Sequence, residues 1–184
     1  MVNDAECYAR YLDGDDSGLG EIIDRYHNGI SLFINSIVND ICAAEEIMQN
    51  TFVKLAVNKP KFNNRSSFKT WLYTIARNCA YDYLKHRSRF SDKPVDEYFS
   101  ISDETDIEKQ YLKDETKIEL CSVMKKLSSD YNQVLYLIYF EELDTFEAAK
   151  VMKKSKRQIG DLIYRAKKSL KSELEKAGFE YEGI

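Results

Sequence analysis

Proline and glycine are both scarce in this chain, with two prolines and seven glycines among 184 residues. That leaves little material for the tight turns of a many-stranded β architecture, so helices are the expected fabric. Histidine is limited to His27 and His86, and there is no glycine-rich phosphate loop and no cluster of metal-ligand type. With no nucleophile–base pair, metal or cofactor site to assemble, an enzyme is not expected. Cys7, Cys42, Cys79 and Cys121 are far apart and form no CxxC pair. This argues against a metal or redox motif and for a reduced, cytoplasmic protein in which Cys42 and Cys79 are small core residues. No run approaches the ~20 apolar residues of a membrane span. The N-terminus is acidic rather than signal-like, so membrane insertion is not expected.

Charge, by contrast, is plentiful at 32%, and it is unevenly laid out around a formal net charge of −4. Residues 1–50 carry ten acids and two bases, whereas 51–90 carry nine bases and one acid. Residues 91–120 return to ten acids against four bases, and 144–176 hold ten bases and five acids. Two basic blocks separated by an acidic segment suggest two contacts with a polyanion, joined by a part that avoids it. Solvated helix faces would have the same composition, so the pattern around the charges has to decide.

Residues 1–16 are polar and end in Asp13-Gly14-Asp15-Asp16, which reads as a turn or a helix start. From Ser17, the positions Leu19, Ile22, Ile23, Tyr26, Ile30, Phe33 and Ile37 keep helical spacing to about Asn39-Asp40. The next helix, about residues 42–57, buries Ala44, Ile47, Met48, Thr51, Phe52 and Leu55. It turns Glu45, Glu46, Gln49, Asn50 and Val53 outward. This acidic, amide-rich face is unsuited to DNA; it fits a protein partner or plain solvation. A polar loop, Asn63-Asn64-Arg65-Ser66-Ser67, lies between Phe62 and Phe68. The helix after it keeps Phe68, Trp71, Leu72, Ile75, Cys79 and Tyr83 on one side, with Arg77, Asn78, Tyr81, Asp82, Lys85 and Arg87 on the other. Residues 65–90 hold six bases and one acid. A basic helix beside aromatic residues is what tracking phosphates and stacking unpaired bases requires.

Further on, Leu112, Leu120, Val123, Met124 and Leu127 form one stripe, and Tyr131, Val134, Leu135, Ile138 and Tyr139 another. Residues 143–170 have the form of a helix-turn-helix. Asp144-Thr145-Phe146-Glu147 and Ser155-Lys156-Arg157-Gln158 read as two capping boxes, with Lys153-Lys154 as the turn. Phe146, Ala149 and Val151 are expected inward from the first helix, and Ile159, Leu162, Ile163, Ala166 and Leu170 from the second. A basic second helix after so short a turn suits the reading of base edges in a major groove; two buried helices of a bundle are the alternative.

The series AAEEIMQNTFVKLA, SSFKTWLYTIARN and AYDYLK closely resembles the second conserved region of bacterial RNA polymerase sigma factors, in the short extracytoplasmic-function (ECF) class. Residues 143–170 resemble that family's fourth region. The resemblance implies an all-α protein of two small domains: a region 2-like domain at 1–88, an acidic flexible linker at 89–108, and a region 4-like helix-turn-helix domain at 109–184. It implies that Glu45, Glu46, Gln49, Asn50 and Val53 bind core RNA polymerase. Phe62, Asn63, Asn64 and Arg65 would capture a base flipped from the minus-ten element, with Asn78 as the pocket floor. Arg77, Tyr81, Lys85 and Arg87 would contact the melted non-template strand. Ser155, Lys156, Arg157 and Gln158 would face the duplex minus-thirty-five element, with Tyr164, Arg165, Lys167 and Lys168 on phosphates. The implied function is promoter recognition and melting in transcription initiation, without cofactor or metal, and often under an anti-sigma partner. The chain departs from the family pattern at Ala43 and Asn50, where acids are usual, and at Gly160-Asp161-Leu162, where a Lys-Ser-Arg run is common. A stand-alone helix-turn-helix regulator of duplex DNA is the competing function; it leaves the outward face of residues 45–53 and the loop at 62–67 without a task.

Overall fold

The computed structural model describes residues 3–89 and 115–178, where all regular structure is helical and no strand occurs among the described residues. The chain divides into two compact units, Met1–Ser100 and Ile101–Ile184. The all-helical, two-domain expectation is met. The acidic linker expected at 89–108 lies, from residue 90 onward, outside the described residues, as does Leu112. No described helix is long and apolar enough to cross a membrane.

The first unit contains α1 (Asp4–Leu12), α2 (Ser17–Val38), α3 (Ile41–Asn58) and α4 (Phe68–Arg89). Helix α2 is its axis: α1, α3 and α4 all pack against it, and eight consecutive residues from Ser31 to Val38 are buried. Each fully buried Ile, Leu or Phe there contributes ~1.5–3 kcal/mol. Ser36 is tolerated in this dry stretch because its hydroxyl donates to the Phe33 carbonyl at 2.6 Å. The helix stops at Asn39, whose left-handed φ of 51° returns its N–H to the Asn35 carbonyl at 2.8 Å. Asp40 then caps α3, accepting the Ala43 N–H at 2.9 Å.

Helix α1 is not legible in the polar residues 1–16. Asn3 and Glu6 form a capping box, and Cys7, Tyr8 and Tyr11 make a short buried side. A nine-residue helix shows too few turns for its period to stand out. Its docking depends on Gly18: a Cβ there would lie 2.2 Å from the Cys7 carbonyl oxygen and 3.0 Å from the Tyr11 nitrogen. Around that crossing Arg10 pairs with Glu21 at 2.6 Å, Arg25 pairs with Asp4, and the Tyr26 hydroxyl donates to Asp4 at 2.5 Å. The Arg10 guanidinium, bonded to Glu21, holds that carboxyl below its ordinary range.

Helix α4 buries Phe68, Thr70, Leu72, Tyr73, Ala76, Cys79 and Ala80. Tyr73 carries the centre of this face, its ring 5.3 Å from Phe33 and edge-on to Tyr26 at 6.5 Å. Trp71, Ile75 and Tyr83, expected on the same side, are only half-buried. Cys79 is a core residue as expected, but Cys42 is exposed. It sits in the first turn of α3, outside the buried stripe of Ala44, Ile47, Thr51 and Leu55.

The second unit contains α5 (Glu115–Met124), α6 (Ser129–Leu135), α7 (Thr145–Met152) and α8 (Lys156–Lys176). Helix α8 packs against α5, α6 and α7. Helix α6 continues into a π turn, Tyr136–Phe140, in which the Glu141 N–H reaches back five residues to the Tyr136 carbonyl at 3.2 Å. A π turn takes one more residue than an α turn and so rotates the residues beyond it about the helix axis. The stripe expected to run through Tyr139 is therefore broken: Tyr136 and Leu137 are buried, and Tyr139 is 50% exposed. Phe146 is likewise exposed rather than inward. It lies two residues, about 200° of helix, from Ala148, which shares α7's buried face with Ala149, Val151 and Met152.

Replacing Gly18 with Ala is expected to cost about 1–3 kcal/mol, because the new methyl meets backbone that cannot give way. Urea denaturation measures it; an unchanged midpoint would mean that α1 is not seated by this crossing.

Candidate nucleic-acid and partner interfaces

Helix α3 presents two opposed faces. Ala44, Ile47, Thr51, Phe52 and Leu55 are buried, and Thr51 returns its hydroxyl to the Ile47 carbonyl at 2.8 Å. On the other side Glu46, Gln49, Asn50 and Val53 are exposed and Glu45 is half-buried. Val53, 54% exposed, is an apolar residue in a polar setting. It borders an open groove of about 460 Å³ between α2 and α3, lined by Leu19, Ile23, His27, Met48, Gln49 and Phe52 among others. Ala43 is buried and adds no side chain to this surface. Asn50, in contrast, leaves the exposed face with fewer acids than the resembled pattern.

The loop between α3 and α4 is held at its edges and open at its tip. Phe62 is half-buried, its ring 5.4 Å from Phe68 and 5.3 Å from Trp71. Asn63 folds its side chain back to accept the Arg65 N–H at 3.2 Å, and Asn64 adopts a left-handed φ of 55°. Both are types that tolerate such a turn. Ser67 then starts α4, its hydroxyl accepting the Thr70 N–H at 3.2 Å. Asn63, Asn64 and Arg65 are exposed.

Along α4, Arg77, Tyr81 and Lys85 recur at four-residue steps and share one stripe. The Arg77 guanidinium lies 4.3 Å from the centre of the Tyr81 ring, a cation–π contact that presents a flat, positive surface. Asn78 flanks this stripe with its amide unbonded among the described residues. It lies ten residues, about 15 Å of helix rise, beyond Phe68, so only a loop folded back along α4 could share a pocket with it. Asp82, the one acid of the block, faces Lys54 at 3.8 Å. Arg87 departs from the expected set: it is about 200° round the helix from Lys85 and faces Asp40 at 3.8 Å.

In the second unit, both capping boxes read from the sequence are formed. Asp144 accepts the Phe146 and Glu147 N–H groups at 2.7 and 2.8 Å, and Glu147 answers the Asp144 N–H at 3.2 Å. Ser155 accepts the Gln158 N–H at 3.2 Å, and the Gln158 side-chain oxygen accepts the Ser155 N–H at 2.7 Å. Between them Lys153 turns the chain with a φ of 54°, and Lys154 pairs with Asp130 at 3.0 Å. Ile159, Leu162, Ala166 and Leu174 of α8 are buried. Lys156, Arg157, Gly160, Asp161, Tyr164, Arg165, Lys167 and Lys168 are exposed. The capping box has a chemical consequence. With one lone pair of its oxygen engaged, Gln158 is oriented toward the helix start and keeps its NH₂ donors for a base, and Ser155 is bound to the helix start. Lys167 lies over the Tyr139 ring at 5.3 Å, and the Arg165 Nε donates to the Asp161 carbonyl. Lys156, Arg157, Tyr164 and Lys168 have no partner among the described residues.

The chain is similar to known proteins in both sequence and fold. Residues 22–90 match the family described as Sigma-70 region 2, a span from early α2 through α4. The chain is 29% identical over 157 residues to the ECF RNA polymerase sigma factor SigM of Bacillus subtilis (strain 168), covering 84% of this chain and 93% of that protein. It is 27% identical over 155 residues to the RNA polymerase sigma factor YlaC of the same organism, covering 83% and 90% respectively. Among solved structures, CnrH in complex with the cytosolic domain of CnrY shares the fold, with a TM-score of 0.66, 20% identity, and coverage of 94% of this chain and 97% of that one. Residues 22–90 thus carry a Sigma-70 region 2 match, and over most of its length the chain is similar to RNA polymerase sigma factors, including members of the ECF class.

Tyr8 and Trp71, at the base of the loop, carry no functional signal in the sequence: Tyr8 lies in a stretch read only as polar, and Trp71 reads as part of the apolar side of its helix. Replacing Ser155 with Ala is expected to cost ~1 kcal/mol of stability in the second unit by leaving the Gln158 N–H without its acceptor. Thermal unfolding checks it, and no shift would mean the box is not maintained in solution.

Proposed function

We propose that this protein directs core RNA polymerase to a promoter, captures the non-template strand of the melted minus-ten region, and then dissociates. Catalysis belongs to the polymerase. The α3 face of Glu45, Glu46, Gln49, Asn50 and Val53 docks on the polymerase. Phe62, Asn63, Asn64, Arg65 and Asn78 take the flipped base. Arg77, Tyr81 and Lys85 track the strand, with Arg87 joining only when Asp40 releases it. In the second unit Lys156 and Arg157 enter the major groove of the minus-thirty-five element. Ser155 and Gln158 shape that entry, and Tyr164, Arg165, Lys167 and Lys168 approach phosphates. The same reading assigns the region 2-like domain to 1–88, the linker to 89–108 and the region 4-like domain to 109–184. It places the protein in the cytoplasm, under an anti-sigma partner.

The single observation that carries this reading is the start of α8. Lys156 and Arg157 occupy its first turn, which contains no acid. Cations there oppose the positive end of the helix macrodipole, so they work against the stability of the free protein. They suit a DNA ligand: Arg paired bidentately with guanine gives ~1–3 kcal/mol of discrimination. At the other element the energetics also close. Flipping a base costs a few kcal/mol, and one stacking contact returns ~1–3 kcal/mol. Capture therefore needs the loop and the α4 stripe together.

Transcription in vitro with purified core polymerase across a promoter library tests the reading; absence of polymerase-dependent initiation rejects it. The variant Lys156→Ala/Arg157→Ala is expected to weaken duplex promoter binding by the complex about 10- to 100-fold, with a salt slope reduced by about 2. Its free-protein melting temperature should stay level or rise. Asn78→Ala should impair promoter melting while duplex binding holds; an equal loss in both assays would indicate a packing defect.

A further inference from the structure

We propose that Tyr8 is a positioning residue for the strand-capture loop, so that α1, which precedes the segment matching region 2, sets the geometry of the reading site. This rests on the reading of residues 62–65 as the base-capture loop.

The loop leaves α3 at Lys59, which is turned by a left-handed φ of 41°, and re-enters helix at Phe68. Tyr8 touches both ends. Its hydroxyl donates to the Pro60 carbonyl at 2.8 Å, and its ring lies 5.6 Å from Phe68 and 5.4 Å from Trp71. From the loop itself Phe62 closes on the same two rings. One side chain from a separate helix thus fixes where residues 61–67 begin and where they end, while Asn63, Asn64 and Arg65 stay exposed at the tip. Tyr8 is 1% exposed, and burial, together with Tyr11, pushes its pKa up to about 12, so the hydroxyl remains a donor at any working pH. A loop held this way loses less conformational freedom when it closes on a base, which strengthens strand binding without adding a contact. Tyr11 provides the comparison. Its hydroxyl makes a like bond, 2.9 Å to the Ala56 carbonyl, but to the last turn of α3 rather than to the loop.

The test uses the full chain bound to core polymerase, with a fluorescent single-stranded oligonucleotide of the promoter selected in vitro and, separately, its duplex. Tyr8→Phe keeps the ring and removes one hydrogen bond, so strand affinity should fall about three- to tenfold while duplex affinity is unchanged. Trp71, the single tryptophan, should become easier to quench with acrylamide in the free variant. Tyr11→Phe should match Tyr8→Phe in melting temperature and leave strand affinity intact. Wild-type strand affinity in Tyr8→Phe overturns the proposal, and so does an equal loss in Tyr11→Phe, which would mark general destabilisation. Asn63→Ala separates the two levels. If Asn63→Ala weakens strand binding and Tyr8→Phe does not, only the positioning role falls. If neither matters, the loop is not the capture site and both readings fall.

Discussion

The first unit depends on the C-terminal stretch of one helix being dry on every side. From Ser31 to Val38, α2 has no face left for water. Its neighbours therefore have no choice of orientation: each must turn an apolar or small-residue side inward. Helix α4 does so with Leu72, Tyr73, Ala76 and Ala80, and α3 with Ala44, Ile47 and Leu55. The polar remainder of each is forced outward, and the segregation of charge along the sequence becomes a segregation in space. Acids and amides gather on α3, and cations on α4. The axis of the core thereby decides which surfaces exist for partners to find.

The second unit works by local chemistry instead. Its two capping boxes and the left-handed Lys153 specify a helix, a turn and the start of a second helix within the stretch from Asp144 to Gln158. The charges at the start of α8 then run against that local stability. A sequence that satisfies its backbone so carefully on either side of a turn, yet places Lys156 and Arg157 at the wrong end of a dipole, marks the position where folding and the proposed DNA binding ask for different residues.

How much of this is legible in the sequence depends on the length of each signal. Helices α2, α3 and α4 repeat their period over many turns, so their extents can be read, as can most of what α3 buries; on α2 and α4 the stripe recovers only part of the buried side and misses Leu32, Ile34 and Tyr73. Both capping boxes can be read because a cap is a property of four adjacent residues. Helix α1 escapes because nine residues show hardly more than two turns, and Gly18, the residue that admits it, has meaning only beside a backbone carbonyl from elsewhere in the chain. Tyr139 is misplaced because inward and outward are projected at a constant 100° per residue, which a π turn does not obey; Phe146 is misplaced because a helix of eight residues offers too few positions to fix which side is inward. Of the candidate interface residues, Arg87 and Gln158 can be assigned a charge or an amide from sequence, but only the fold reveals that Asp40 faces the one and the Ser155 backbone binds the other.

The π turn at Tyr136–Phe140 has an implication of its own. It stores one surplus residue inside an otherwise continuous helix, so the phase before it and the phase after it are set independently. Tyr136 can serve the interior while Tyr139, three positions on, stands outside beneath the Lys167 ammonium. Shortening this segment by a single residue would merge the two phases, swing that ring away from α8, and take from the basic helix the aromatic seat of one of its cations. An insertion that looks like a local irregularity is thus the hinge between the packing of one helix and the surface charge of another.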